Sequence, residues 1–76
     1  MNKQRRKKLR ELADQLSAIK EELESVKDDE QAAFDNLPDG LQQAEKGQAM
    51  EAAAAIIDGA IDDLFGVINA LDEAQE

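Results

Sequence analysis

Cysteine and histidine are both absent from this chain of 76 residues. Without cysteine, neither a disulfide framework nor a thiolate metal site can form. Without histidine, the chain lacks the most common general base and the most common zinc ligand. Ser17 and Ser25 are the only hydroxyl side chains, and neither has a base to activate it. We therefore predict a protein that is not an enzyme and that holds no metal or cofactor.

Aromatic residues and long apolar runs are also scarce. Phe34 and Phe65 are the only aromatic residues, and no apolar run approaches the roughly 18 residues of a membrane span. The basic N-terminus is not followed by the apolar core and cleavage site of a signal peptide. We expect a cytoplasmic protein that does not contact a membrane. Chains this short struggle to bury a sufficient core alone, which favours oligomerisation.

Charge is divided unevenly along the chain, whose net charge is −9. Residues 1–10 contain six basic residues and no acidic one, whereas residues 11–76 contain all 18 acidic residues and only three lysines. The six basic residues, which we name the basic cluster, are Lys3, Arg5, Arg6, Lys7, Lys8 and Arg10. A compact cationic segment therefore precedes a strongly acidic remainder.

Two ladders of aliphatic residues, one in each half of the chain, predict long helices that pack lengthwise. Their members are three and four residues apart without interruption, which is heptad spacing. The first ladder comprises Leu9, Leu12, Leu16, Ile19, Leu23 and Val26, and the second comprises Met50, Ala54, Ile57, Ile61, Leu64, Ile68 and Leu71. We predict helices over about 3–34 and 48–74 in one domain, with a joint at 35–47 that contains Pro38 and the turn signal Asp39-Gly40.

The apolar surfaces of the two predicted helices differ in width. The first is a narrow stripe that one partner can cover, and the second is a wider arc that an antiparallel hairpin leaves partly bare. We therefore predict an all-α fold, an antiparallel helical hairpin with a short helical or irregular joint that dimerises into a four-helix bundle or a higher oligomer. The predicted dimer interface comprises Ile56, Ala60, Ile61, Leu64, Val67, Ile68 and Leu71.

Two segments are candidate binding sites. Arg5, Arg6, Lys7 and Lys8 either hold the phosphate of a nucleotide or nucleic acid, or pair with the acidic residues near the C-terminus. Direct nucleic-acid binding is disfavoured because no aromatic stacking partner accompanies them. The joint either closes the end of the bundle or forms a recognition tip for a partner. Its candidate residues are Phe34, Asn36, Leu37, Pro38, Leu41 and Gln42.

Three segments resemble a group of small acidic helical proteins carried by phages, prophages and Gram-positive bacteria. They are Asn2-Lys3-Gln4-Arg5-Arg6-Lys7-Lys8-Leu9, Ala33-Phe34-Asp35-Asn36-Leu37-Pro38-x-x-Leu41-Gln42 and Gly47-x-x-Met50. Members of this group often have a more acidic second helix than this chain, which has Ala52–Ala55 and Gly59 there. The resemblance implies a setting in which small non-enzymatic proteins block a host factor or a defence system.

The function predicted from these observations is stoichiometric binding. The expected target is a host protein, a defence factor or a small nucleotide signal in the bacterial host cell, and the expected effect is inhibition. Two alternatives remain open. The acidic faces of the helices could imitate a nucleic acid, or the protein could be a purely structural helical assembly protein.

Overall fold

The computed structural model describes residues 1–76 and contains three helices and no strand. The helices are α1 (Lys3–Asp35), α2 (Asp39–Gln42) and α3 (Glu45–Ala74). The two long helices pack against each other as a hairpin, and the molecule measures 58 × 14 × 12 Å. The prediction of an all-helical chain with two long helices packed lengthwise is confirmed.

The first turn of α1 is held by a side-chain cap. The backbone N–H of Arg5 donates a hydrogen bond of 2.8 Å to Oδ1 of Asn2. Such a cap satisfies one of the N–H groups that have no partner inside the helix, and it stabilises a helix by about 1 kcal/mol. It offsets the unfavourable position of the basic cluster, because cations at the start of a helix oppose its dipole.

The joint consists of two tight connections around the short helix α2. The first connection follows α1, whose last hydrogen bond runs from the N–H of Asn36 to the carbonyl oxygen of Ala32 at 3.0 Å. Pro38 then precedes α2, and its carbonyl accepts the N–H groups of Leu41 and Gln42 at 2.8 and 3.0 Å. Proline suits this position because its ring fixes φ and no N–H is needed there.

Helix α3 begins at Glu45, three residues before the start expected from the sequence. Gly47 lies inside its first turn and is buried. A Cβ built on Gly47 would overlap the backbone carbonyl of Gln42 and would lie 2.6 Å from the carbonyl oxygen of Leu41. Gly47 is therefore part of α3. Because it has no side chain, the end of α2 can pack directly on α3.

The second ladder is the face that α3 presents to α1. Each of its seven members is buried or half-buried, and Ala54, Ile61 and Ile68 are the most buried. Opposite them, Ala13 is the only buried residue of α1. No side chain in the molecule is fully enclosed, so the hairpin core is thin.

The first ladder divides into two rows with different surroundings, which the sequence did not predict. Leu9, Leu16 and Leu23 are half-buried against α3. Leu12, Ile19 and Val26 are 37%, 47% and 52% exposed. Helix α1 instead turns the row of Ala13, Lys20 and Lys27 toward α3. The small alanine permits close approach, and the lysine stems lie along apolar surface while their ammonium groups reach polar neighbours.

Candidate functional site

One side of the seam between the long helices is polar, and we name it the polar flank. There, Nζ of Lys27 donates to Oδ1 of Asp58 at 3.2 Å. Nζ of Lys20 lies 5.8 Å from the ring centroid of Phe65. These two contacts fix the register of the antiparallel helices, because they place Lys20 level with Phe65 and Lys27 level with Asp58.

The hydrogen bond to Asp58, and then its negative charge, raise the pKa of Lys27. A raised lysine pKa means that the pair contributes stability below the ordinary lysine value, about 10.4, and loses it as the pH rises through the folded value. Both partners are partly exposed to solvent, so the contribution is small. An open groove of about 490 Å³, lined mainly by charged residues, lies beside this pair.

The opposite side of the seam carries two rows of apolar residues, and we name it the apolar flank. Residues seven apart form a row along one side of a helix that packs in heptads. The flank residues of α1 are Leu12, Ile19, Val26 and Ala33, and those of α3 are Ala53, Ala60, Val67 and Ala74. The Leu12 row of α1 and the Ala60 row of α3 both lie on the side of the seam away from the contacts of Lys27. The two rows are therefore neighbours in the antiparallel hairpin. The hairpin therefore presents a two-helix apolar surface, roughly 32 Å long at 1.5 Å per residue.

This flank is uncovered in the single chain. Val67 is 46% exposed, and Ile56, at the outer border of the flank, is 73% exposed. The chain exposes 5560 Å², whereas a compact monomer of its mass would expose about 4,600 Å². Exposed aliphatic side chains in neighbouring rows on two helices, bordered by polar residues, are typical of an association site.

The predicted dimer interface separates into two groups in the structure. Ile61 and Ile68 are buried inside the hairpin, and Leu64 and Leu71 are half-buried there. Ile56, Ala60 and Val67 are exposed. The interface predicted from the sequence thus includes Ala60 and Val67 of the apolar flank and none of its α1 residues. The available signal was Ala13, a small residue beside the ladder that marks where α3 approaches.

The joint residues also differ in their surroundings. Phe34 and Leu37 are half-buried, whereas Asn36 and Pro38 are exposed and Leu41 is 49% exposed. The side-chain amide of Gln42 donates to the backbone carbonyls of Phe34 and Asp35, at 3.2 and 3.4 Å. It thereby satisfies carbonyls at the end of α1 that lack partners within the helix. Asn36, Pro38 and Leu41 remain the part of the joint that a partner can reach.

We expect Gln42→Ala to lower the free energy of unfolding by about 1 kcal/mol, because the carbonyl of Asp35 loses its donor and that of Phe34 keeps only the N–H of Leu37. Thermal denaturation followed by circular dichroism measures this. Gln43→Ala is the matched control, because Gln43 is exposed and its side chain makes no hydrogen bond. Equal stability of the two variants would contradict a capping role for Gln42.

The basic cluster lies at the other end of the molecule. Its residues are exposed except for Arg6, which is half-buried and whose Nε has no hydrogen-bond partner. The two ion pairs of the chain are Lys20–Glu24 and Lys27–Asp58. The basic cluster therefore has no carboxylate within 4.0 Å, and the pairing with the C-terminal acidic residues that the sequence suggested is not observed within one chain.

No group of three or more carboxylates is arranged to hold a metal ion. None of the helices combines the length and the apolar character that crossing a membrane requires. Neither a protein-family model, nor a curated protein, nor a solved structure matches the chain.

Proposed function

We propose that this protein is a non-enzymatic binding protein that acts as a homodimer. The apolar flank is the observation that carries the proposal. A hairpin with five buried residues among 76 has a marginal core. When two copies pack their apolar flanks together, they complete a four-helix bundle, the usual arrangement of paired helical hairpins. The interface differs from the one expected from the sequence, because it takes residues from both long helices.

The area available is large enough for a stable dimer. A compact dimer of twice this mass would expose about 7,600 Å², so association of two chains would bury at most about 3,500 Å². This upper limit exceeds the roughly 1,200–2,000 Å² of a standard-size specific interface. The side chains of the apolar flank are aliphatic, and burial of aliphatic surface favours association.

Light scattering on the purified protein is expected to give twice the chain mass of 8.3 kDa. Val26→Lys, on the apolar flank, is expected to shift the protein to a monomer because it places a charge in an apolar interface. The matched control is Phe65→Lys on the polar flank, where Phe65 is 57% exposed. We expect this variant to remain dimeric. A wild-type monomer at tens of micromolar would refute the dimer.

We further propose that the dimer inhibits a host or defence factor of the bacterial cytoplasm by stoichiometric binding of a protein or a nucleotide signal. The resemblance to small acidic phage proteins supports this setting. The exposed part of the joint, Asn36, Pro38 and Leu41, supports a contact at the tip, because these side chains are open to solvent on a rigid scaffold.

Affinity capture from a host lysate, followed by mass spectrometry of proteins and co-purifying nucleotides, identifies the target. A captured factor supports the proposal only if the purified protein abolishes its activity at an equimolar ratio. Leu41→Glu is expected to prevent this inhibition while leaving the dimer intact. Inhibition that survives Leu41→Glu would exclude the joint as the contact.

A further inference from the structure

The two ends of the hairpin carry opposite charge. The end with the basic cluster also contains Asp72, Glu73 and Glu76, and its side chains have a net charge of +3. The joint end, residues 28–51, contains seven acidic residues and one lysine, so its net charge is −6. Each end therefore has charge that the other end could neutralise.

A single chain cannot bring these ends together. The molecule is 58 Å long, and the Debye length at physiological ionic strength is about 8 Å. None of the cations of the basic cluster lies within 4.0 Å of a carboxylate of its own chain. Charge of this kind, unpaired in the chain and clustered at one end, can orient a second copy.

A two-fold dimer through the apolar flank has two possible orientations. If the axis runs along the helices, the copies are parallel, and the two positive ends meet, as do the two negative ends. If the axis runs across the helices, the copies are antiparallel, and each positive end meets the negative end of the other copy. Electrostatics favours the second orientation, because the first places like charges together at both ends.

The apolar rows fit the antiparallel orientation as well. The α1 row of one copy then packs against the α1 row of the other copy, which runs in the opposite direction. This places Leu12 opposite Ala33 and Ile19 opposite Val26 of the second copy. The α3 row places Ala60 opposite Val67 and Ala53 opposite Ala74. Each large residue of α1 meets a smaller one, and the small residues of α3 allow its two copies to approach closely.

One axis satisfies both rows. The α1 row is centred between Glu22 and Leu23, and the α3 row is centred between Asp63 and Leu64. These centres lie at nearly the same level, because Lys20 is level with Phe65 and Lys27 is level with Asp58 in the hairpin. Both rows can therefore be centred on a single two-fold axis without shifting the helices.

We propose that two copies of this chain pack their apolar flanks antiparallel, so that the basic cluster of each copy lies on the acidic joint of the other. This inference rests on the dimer of the proposed function and specifies its orientation. It also brings together the two candidate binding segments, because the cluster and the joint become neighbours at each end of the dimer. The partner's joint then supplies carboxylates to a basic cluster that has none within 4.0 Å in its own chain.

Thiol cross-linking tests the orientation directly, because the chain contains no native cysteine. An equimolar mixture of Leu12→Cys and Ala33→Cys chains, refolded together, is expected to give a covalent dimer with a short thiol-specific cross-linker. A mixture of Leu12→Cys and Ala74→Cys chains is the control, because only the parallel orientation places these positions together. Efficient linking of the control mixture, with none of the first, would overturn the inference and leave the dimer in place.

Ionic strength provides a second measurement on the unmodified protein. The dimer dissociation constant, followed by sedimentation, is expected to rise about tenfold from low salt to 1 M salt, as attraction between unlike ends is screened. A fall over the same range would show that repulsion between two copies of net charge −9 outweighs the attraction between unlike ends, and it would overturn the electrostatic argument for the antiparallel orientation. A wild-type monomer under all conditions, with neither mixture linked, would instead refute the dimer itself.

Discussion

Replacing Gly47 with alanine is expected to destabilise the protein by about 2 kcal/mol, although alanine is the better helix former. The added methyl group would overlap the carbonyl group of Gln42 and lie 2.6 Å from the carbonyl oxygen of Leu41. These are backbone atoms, which cannot rotate away as a flexible side chain would. The joint must move away from α3 to admit the methyl group, and such overpacking typically costs 1–3 kcal/mol.

Gly59→Ala is the matched control in the same helix. A Cβ built at Gly59 meets nothing within 4 Å, and the same holds at Gly66. Each of these substitutions is expected to stabilise the protein by about 1 kcal/mol, the ordinary difference between the two residues in a helix interior. Urea denaturation at one fixed protein concentration measures all three variants, since a dimer's apparent stability depends on concentration. A stabilising Gly47→Ala would show that the joint is not packed against α3.

These three glycines illustrate what sequence alone could decide. Each glycine inside a helix costs about 1 kcal/mol relative to alanine, so the sequence alone does not show which of the three makes a close contact. In the structure Gly47 makes the close contact, and Gly59 and Gly66 face open space. Helix propensity reflects only how well a residue fits the backbone of its own helix. Glycine is needed at position 47 because of a contact with α2, which is a different helix.

The helices themselves were predictable because heptad spacing is a local property of the sequence. The second ladder has one consistent role, and each of its members contacts the interior of the hairpin. The first ladder was misjudged in detail because two neighbouring rows, those of Leu9 and Leu12, are equally apolar. Which row faces α3 depends on the small Ala13 and on lysine stems that pack as apolar groups. Both depend on the partner helix and not on the periodicity of α1.

For the candidate sites, the sequence predicted the location of each segment better than the role of its side chains. The basic cluster and the joint were visible in the sequence as a charge run and as an interruption of the ladders. Their separation by the length of α1 also followed from the predicted helix. The role of Gln42 did not, because its hydrogen bonds to Phe34 and Asp35 depend on how α2 folds back. An amide side chain in a turn has the same appearance in sequence whether it caps a helix or contacts a partner.

Ile61→Ala is expected to lower the free energy of unfolding by about 2–4 kcal/mol. Ile61 is 7% exposed, and it lies in the middle of the face that α3 presents to α1. Removing three carbon atoms there leaves a cavity in a thin core, where few neighbouring side chains can move to fill it. Urea denaturation of the wild type and the variant at the same concentration gives the difference directly.

Ile56→Ala is the matched control, because it makes the same chemical change in the same helix. Ile56 is 73% exposed, so little packing is lost, and alanine's higher helix propensity offsets part of that loss. We expect a change within about 0.5 kcal/mol, as for most surface substitutions. The pair also tests the extent of the dimer interface, since Ile56 lies at the outer border of the apolar flank. If Ile56→Ala is as destabilising as Ile61→Ala, the second copy must cover α3 beyond the row of Ala60 and Val67, and the packed bundle is wider than we propose.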